Sequence, residues 1–262
     1  MKKFKLSTLL YSLVITLLLA SLNSACTKDD ENNNDDSTYA VYMDENDEDY
    51  INFGTFEGFT AGTDWAVIEK IKMPAGADND GGWHFFRGKA WEDKEGDIAI
   101  SISETGVHAW CSAPVPGKAF TGWVSIIHED TFNADQWYNI CFQYNSTGQQ
   151  LELYIDGTLV GQEDMLPMDD SNNSNNMFWG GQECAPAHNE GEMYSETSIM
   201  IFHQAWLQRT LSSSEIAAYD GYIAPESALF YATDIDASSV SDISGNNRNG
   251  TNGNSPEFIT AE

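Results

Sequence analysis

The sequence predicts an all-β fold, a sandwich of two antiparallel sheets with one short surface helix. Short apolar stretches recur between turn signals about 8 to 12 residues apart, as sandwich strands do. Residues 97–103 (DIAISIS) alternate apolar and polar side chains, the pattern of a strand with one buried face. A single stretch, around Ser212, carries helix-capping chemistry.

Taken in order, residues 65–73 (WAVIEKIKM) form the first long strand and stop at Pro74 and Gly76. Residues 83–91 are aromatic-rich and follow the turn Asp80-Gly81-Gly82. The alternating strand at 97–103 comes next, and residues 107–111 and 124–127 continue the pattern. Residues 137–144 and 151–155 flank the polar turn Asn145-Ser146-Thr147-Gly148, which makes them a hairpin. Asp156-Gly157 then turns the chain tightly into Leu159 and Val160. In residues 211–219, Glu215 follows Ser212 by three positions, a capping box that starts a helix of about two turns. Trp65, Trp137 and Trp206 fall on predicted core strands and read as packing.

The N-terminus reads as an export signal. Lys2, Lys3 and Lys5 form a positive head, residues 6–20 an apolar run, and Ser24 and Ala25 a small-residue cleavage site. The run is shorter than the roughly 18 to 20 residues that span a bilayer. Residues 22–26 (LNSAC) resemble a bacterial lipobox, which implies cleavage after Ala25 and lipidation of Cys26. Residues 27–31 (TKDDE) resemble the acidic tag of some gram-negative lipoproteins, which implies the cell outer membrane with the protein facing the exterior. Residues 27–38 hold no large apolar side chain and are expected to be a disordered tether. The domains expected are a signal peptide at 1–25, the lipidated Cys and tether at 26–38, and one globular domain at 39–262.

Charge narrows the partners. The chain carries 41 Asp and Glu against 12 Lys and Arg, a formal −29. Removing residues 1–25 takes three of those lysines and no acid, leaving 9 basic residues and a formal −32. Nucleic acid and anionic membrane surfaces both attract basic patches, so neither fits.

Two stretches carry a family resemblance. Trp137-Tyr138-Asn139-Ile140-Cys141-Phe142, followed by Leu151-Glu152-Leu153-Tyr154-Ile155-Asp156-Gly157, is similar to a signature of laminin-G-like and pentraxin-like jelly rolls. Residues 199–206, then Arg209-Thr210-Leu211-Ser212 and Glu215-Ile216, resemble the closing strand and helix of the same group. These are the concanavalin A-like sandwiches, and the resemblance spans residues 39–223. It implies a jelly roll of two antiparallel sheets. Residues 242–250 (DISGNNRNG) resemble the element that usually opens such a domain, yet here they come near the end. Because the termini of this fold lie close together, residues 226–262 are expected to complete the same sandwich.

The resemblance also implies a calcium site. Gly181-Gln182-Glu183 and Asn189-Glu190-Gly191 are similar to the pentraxin calcium loop, with Ala185 where that family has a further acid. Asp93 and Asp97 flank the turn where the family places its other ligands, so the expected ligands are Asp93, Asp97, Glu183 and Glu190. Clustered loop carboxylates and amides are what calcium's six to eight oxygen ligands require. A glycan site would stack sugar rings on aromatic faces, and Trp83, Trp91, Trp110 and Trp123 sit near strand ends or turns. Each of the four is open to a packing role as well. Catalysis finds little material: the triplets Glu45-Asp47-Asp49 and Asp93-Glu95-Asp97 lack the interleaved apolar residues that would aim two carboxylates into one cleft. The exported setting permits disulfides, and Cys111 with Cys184 is the expected pair, leaving Cys141 as a buried thiol. Sequence does not fix that connectivity. Three functions stand: a non-catalytic surface lipoprotein that binds polysaccharide or host glycan with calcium's help, a glycoside hydrolase or polysaccharide lyase, and an adhesin or assembly subunit with a protein partner.

Overall fold

The apolar stretches form strands because their β-branched and aromatic side chains pack well on a pleated surface. The structure, a computed structural model, describes residues 38–55, 57–74, 83–87, 95–103, 105–114, 116–117, 121–130, 132–134, 136–170, 174–183, 193–194, 198–221 and 229–261. The expected signal peptide, Cys26 and nearly all of the tether lie outside these residues.

The strands are β1 (Tyr39–Met43), β2 (Tyr50–Thr55), β3 (Trp65–Lys72), β4 (Trp83–Arg87), β5 (Ile98–Ser103), β6 (Gly106–Pro114), β7 (Thr121–Glu129), β8 (Trp137–Asn145) and β9 (Gln150–Ile155). They continue as β10 (Thr158–Asp164), β11 (Asn176–Trp179), β12 (Gln182–Glu183), β13 (Met193–Tyr194), β14 (Ile199–Leu207), β15 (Leu229–Ile235), β16 (Val240–Asp242), β17 (Thr251–Gly253) and β18 (Glu257–Thr260). The helix α1 spans Ser213–Ala217.

One layer is a nine-stranded sheet, β10-β9-β8-β3-β14-β1-β18, with β15 added to β14 and β16 to β15. Strand β14 seats β1 along its first half and β15 along its second, on the edge opposite β3. The other layer joins β11-β2-β17 to β4-β5-β6-β7, with β4 lying beside β11. Strand β7 meets β10 where the layers close; a Cβ on Gly161 would come within 2.3 Å of Ile126 Cγ2. The tail contributes to both layers, since β17 pairs with β2 and β18 with β1.

Alternation decides what is buried. In β5, Ile98, Ile100 and Ile102 enter the core, as do Val107, Ala109, Cys111 and Ala113 of β6. Across from them, Ile140, Phe142 and Tyr144 of β8 and Val67 and Ile71 of β3 face inward. Trp65 and Trp206 are fully buried, 6.2 Å apart, with Phe59 edge-on to Trp206 at 5.3 Å. Trp137 corrects the sequence reading. It lies half-buried on the outer face of β8, because its cross-strand partner Lys72 shares the outward parity of Ala66 and Ile68.

Helix α1 covers the outer face of the nine-stranded sheet. Ile216 packs with Ala66, Ile68, Cys141, Leu207 and Leu211 in a second apolar cluster. Its capping box is formed: Glu215 N–H donates to Ser212 Oγ at 3.3 Å, and Ser212 N–H donates to Glu215 Oε2 at 2.9 Å. The helix is five residues long, shorter than expected. The Asp156-Gly157 turn has positive φ at both residues (48° and 78°), as a two-residue hairpin loop requires. A Cβ on Gly157 would stand 2.5 Å from Ala217 Cβ, so glycine also admits the helix.

Candidate functional site

The side of the β4–β7 sheet turned away from the core carries Trp110 and Trp123, two of the four tryptophans that sequence reasoning favoured. Register pairs Trp110 with Ser125, Ser112 with Trp123, and His108 with Ile127. Trp110 and Trp123 are therefore diagonal neighbours on adjacent strands, within reach of each other's rings. They stack, with centroids 4.9 Å apart and planes 15° from parallel. Trp110 is 4% exposed and forms the floor, while Trp123 is 56% exposed and forms the surface. Stacking on a buried partner fixes the Trp123 ring, so a ligand meets a platform already in place.

Ile127 extends the platform along β7 and is 66% exposed. Beyond it lies a recess of about 190 Å³, lined by Ser103, Thr105, His108, Ile127, His128 and Glu129 among others. Gly106 lines this recess; its φ is +147°, and a Cβ there would fall 2.1 Å from the His128 carbonyl oxygen, so glycine admits the close approach of β7. Ser103 and Thr105 hydroxyls lie 3.0 Å apart at its rim. Burial holds the His108 imidazole below the ordinary histidine range, so it is neutral at pH 7 and able both to donate and to accept hydrogen bonds. Among the described residues lining the recess, Glu129 is the one carboxylate. Glycoside hydrolysis uses two carboxylates flanking one bond, and the recess offers no such pair among those residues.

The other expected ligands are less complete. Trp83 lies on β4 in the row Trp83–Ser101–His108–Ile127, and its side chain is outside the described residues, as is the whole of Trp91. Of the four expected calcium ligands, Asp93 and Glu190 lie outside the described residues, and Glu183 is placed only as backbone of β12. Asp97 is 1% exposed at the start of β5, where its carbonyl accepts Ser112 N–H at 2.9 Å. Among the described residues, no three His, Cys, Asp or Glu side chains are grouped to hold a metal ion. The triplet Glu45-Asp47-Asp49 is a turn. Residues Glu45–Asp47 form one 3-10 turn, and buried Asp49 accepts Ser255 N–H at 2.9 Å.

Cys111 is buried in the core between the layers, and Cys184 lies outside the described residues, so their expected pairing is not described. Cys141 is a buried thiol, its Sγ 3.9 Å from Gln143 Oε1, and burial pushes its pKa well up. Sequence reasoning missed Ile127 and the recess. Alternation along Trp123, Ser125 and Ile127 was the available signal, since it places both apolar side chains on one face.

A family model described as the concanavalin A-like lectin/glucanases superfamily, of the laminin G type, matches residues 44–217. A candidate carbohydrate binding protein from Bacteroides ovatus is similar in structure, with a TM-score of 0.58 at 12% identity, over 86% of this chain. This chain spans 60% of that protein's length. The heptameric SAP-like pentraxin of Limulus polyphemus is similar with a TM-score of 0.51 at 10% identity, over 86% of this chain and 95% of that one. At such identities the likeness is one of fold. No curated protein is matched by the sequence. With the family model covering more than half of the residues and the two-layer architecture in place, the chain belongs to the concanavalin A-like lectin/glucanase superfamily.

Proposed function

We propose that this chain is a non-catalytic, exported lipoprotein that binds carbohydrate, with Trp123 as the platform on which a sugar ring stacks. One observation carries the reading: Trp123 is 56% exposed, yet its ring is held by a buried stacking partner, Trp110. An exposed indole with a polar recess beside it matches the needs of a saccharide, whose ring has apolar C–H faces and a rim of hydroxyls. The Bacteroides ovatus protein, whose description names carbohydrate binding, shares the fold and supports the class of ligand. Lipidation of Cys26 would anchor the chain in the outer membrane facing outward, and calcium held by Asp93, Asp97, Glu183 and Glu190 would assist binding.

The test is a screen of the full chain against neutral and charged glycans, run with calcium and again with a chelator. Truncating a tryptophan at the centre of a contact costs on the order of 2 kcal/mol, roughly 30-fold in affinity. Trp123→Ala should therefore weaken binding by about that factor, with the melting temperature unchanged. Binding indifferent to Trp123 would refute the platform, and binding indifferent to chelation would remove calcium. Silence on every glycan would move the reading to a protein partner on the Trp123–Ile127 face.

A further inference from the structure

Two lysines stand out on the opposite side of the sandwich. Lys70 Nζ lies 5.3 Å from the Phe202 ring centroid, and Lys72 Nζ lies 4.9 Å from that of Trp137. The two rings are 5.7 Å apart. Register places these side chains in neighbouring rows on the outer face of β8, β3 and β14: Trp137–Lys72–Met200, then Asn139–Lys70–His203. All four side chains are half-buried, and the cation–π contacts hold both ammonium groups over their rings.

Among the described residues neither ammonium has an ion-pair partner, in a chain that carries 41 Asp and Glu. The other two Lys or Arg side chains among the described residues are both engaged. Arg209 Nη2 is 2.9 Å from Glu215 Oε1, and Arg248 Nη2 donates to the Glu57 carbonyl at 2.8 Å. Acids stand at both margins of the lysine patch. Asp44 accepts the Tyr42 hydroxyl at 3.1 Å, and Asp220 and Asp234 act on His203. The positive strip is thus two lysines wide. Residues i and i+2 of a strand lie about 6.6 Å apart on one face. The rings that hold the two ammonium groups are 5.7 Å apart, so both charges belong to one small patch that a single carboxylate can approach. A polyanion would meet the flanking acids and the formal −29 of the whole chain. A single carboxylate in contact feels mainly the two lysines, because charges beyond about 8 Å are screened at physiological ionic strength.

We propose that Lys70 and Lys72 form a second saccharide-binding surface, selective for one carboxylate-bearing sugar residue, such as a terminal uronate, seated beside Trp137 and Phe202. The class of ligand rests on the glycan-binding reading above, while the surface shares no residue with the Trp123 platform. Binding of a glucuronate-terminated tetrasaccharide and its glucose-terminated counterpart to the full chain, measured by calorimetry at physiological ionic strength, tests it. The acidic form should bind several-fold tighter. Lys70→Met with Lys72→Met should erase that preference while retaining the apolar stems, and Lys70→Arg with Lys72→Arg should restore it. Trp123→Ala should leave the ratio unchanged even where it weakens both affinities. No preference in the unaltered chain, a preference surviving the double Met variant, or one abolished by Trp123→Ala would each overturn the proposal. If neither tetrasaccharide binds, methyl glucuronide followed through the Trp137 indole NMR signal decides. Saturable shifts lost in the double Met variant uphold this surface while the platform reading fails, and unmoved signals overturn it.

Discussion

Replacing Glu69 with Gln should make the protein more stable, by an amount that grows as pH rises. Glu69 is fully buried on β3, on the inward parity of Val67 and Ile71, between Ile140 of β8 and Gln204 of β14. Burial pushes its carboxyl up from 4.5 to about 8, against the opposing effect of a 3.0 Å hydrogen bond from Gln204 Nε2. Gln204 Oε1 is buried without a hydrogen-bond partner, and a protonated Glu69 has a proton to offer it. A carboxyl whose folded pKa is raised contributes fully below 4.5, where both states hold the proton. As pH climbs, the unfolded chain sheds its proton while the folded chain keeps it. Each pH unit in that window then removes about 1.4 kcal/mol of stability. Between pH 5 and pH 7 the loss is on the order of 2–3 kcal/mol, and it levels off once pH passes the folded value. Gln keeps the shape and the hydrogen-bonding capacity without the titration. Urea unfolding of both proteins at pH 5, 7 and 9 isolates the effect, since every other titrating group is shared. The variant's advantage should widen by roughly 2–3 kcal/mol from pH 5 to 7. An advantage that stays flat across the series would mean that Glu69 is not buried as a neutral acid, and the parity assigned to β3 would fall with it.

Trp206→Ala should cost about 3–5 kcal/mol in chemical denaturation, because it empties the contact with Phe59 and Trp65 at the centre of the core. Ser212→Ala removes the reciprocal cap of α1 and should cost about 1 kcal/mol, read as a small fall in melting temperature. Gly157→Ala combines a φ of +78° with a Cβ 2.5 Å from that of Ala217, and should cost on the order of 1–3 kcal/mol. An unchanged melting temperature there would show that α1 does not rest on the hairpin turn.

What the sequence disclosed was local. The alternation at 97–103, the Asp156-Gly157 turn and the Ser212–Glu215 cap each depend on residues a few positions apart, and each appears in the structure. Properties set by register were harder to see. Trp137 reads as core because it opens an apolar strand, but its pairing with Lys72 turns it outward. Trp110 and Trp123 were singled out separately, and only the pairing of β6 with β7 stacks one on the other. Glu69 was legible and overlooked. In Trp65, Val67, Glu69 and Ile71 the charged residue sits on the apolar parity, which is a burial signal carried by the sequence itself.

The family match ends at residue 217, whereas the sandwich continues past it. Val240 and Ile235 belong to the central core cluster, and Phe258 packs against it. Gly250 passes so close to the core that a Cβ would stand 2.5 Å from Ile51 Cγ2 and 2.9 Å from Phe53 Cε1. Asn254 Nδ2 donates to the carbonyls of Asp47 and Glu48 at 3.1 and 2.6 Å, tying the tail to the turn that follows β1. Ala261 N–H donates to the Thr38 carbonyl at 2.8 Å, which joins residues 38 and 261. Residues 242–250, which resemble the opening of such a domain, lead directly into β17 and β18, the strands that lie outermost in their layers. Without them β1 and β2 would be outermost; with them the edge passes to β18 in one layer and to β17 in the other. The tail therefore widens each layer by one strand at these edges, and the core side chains it adds, Ile235 and Val240, tie that widening to the sandwich.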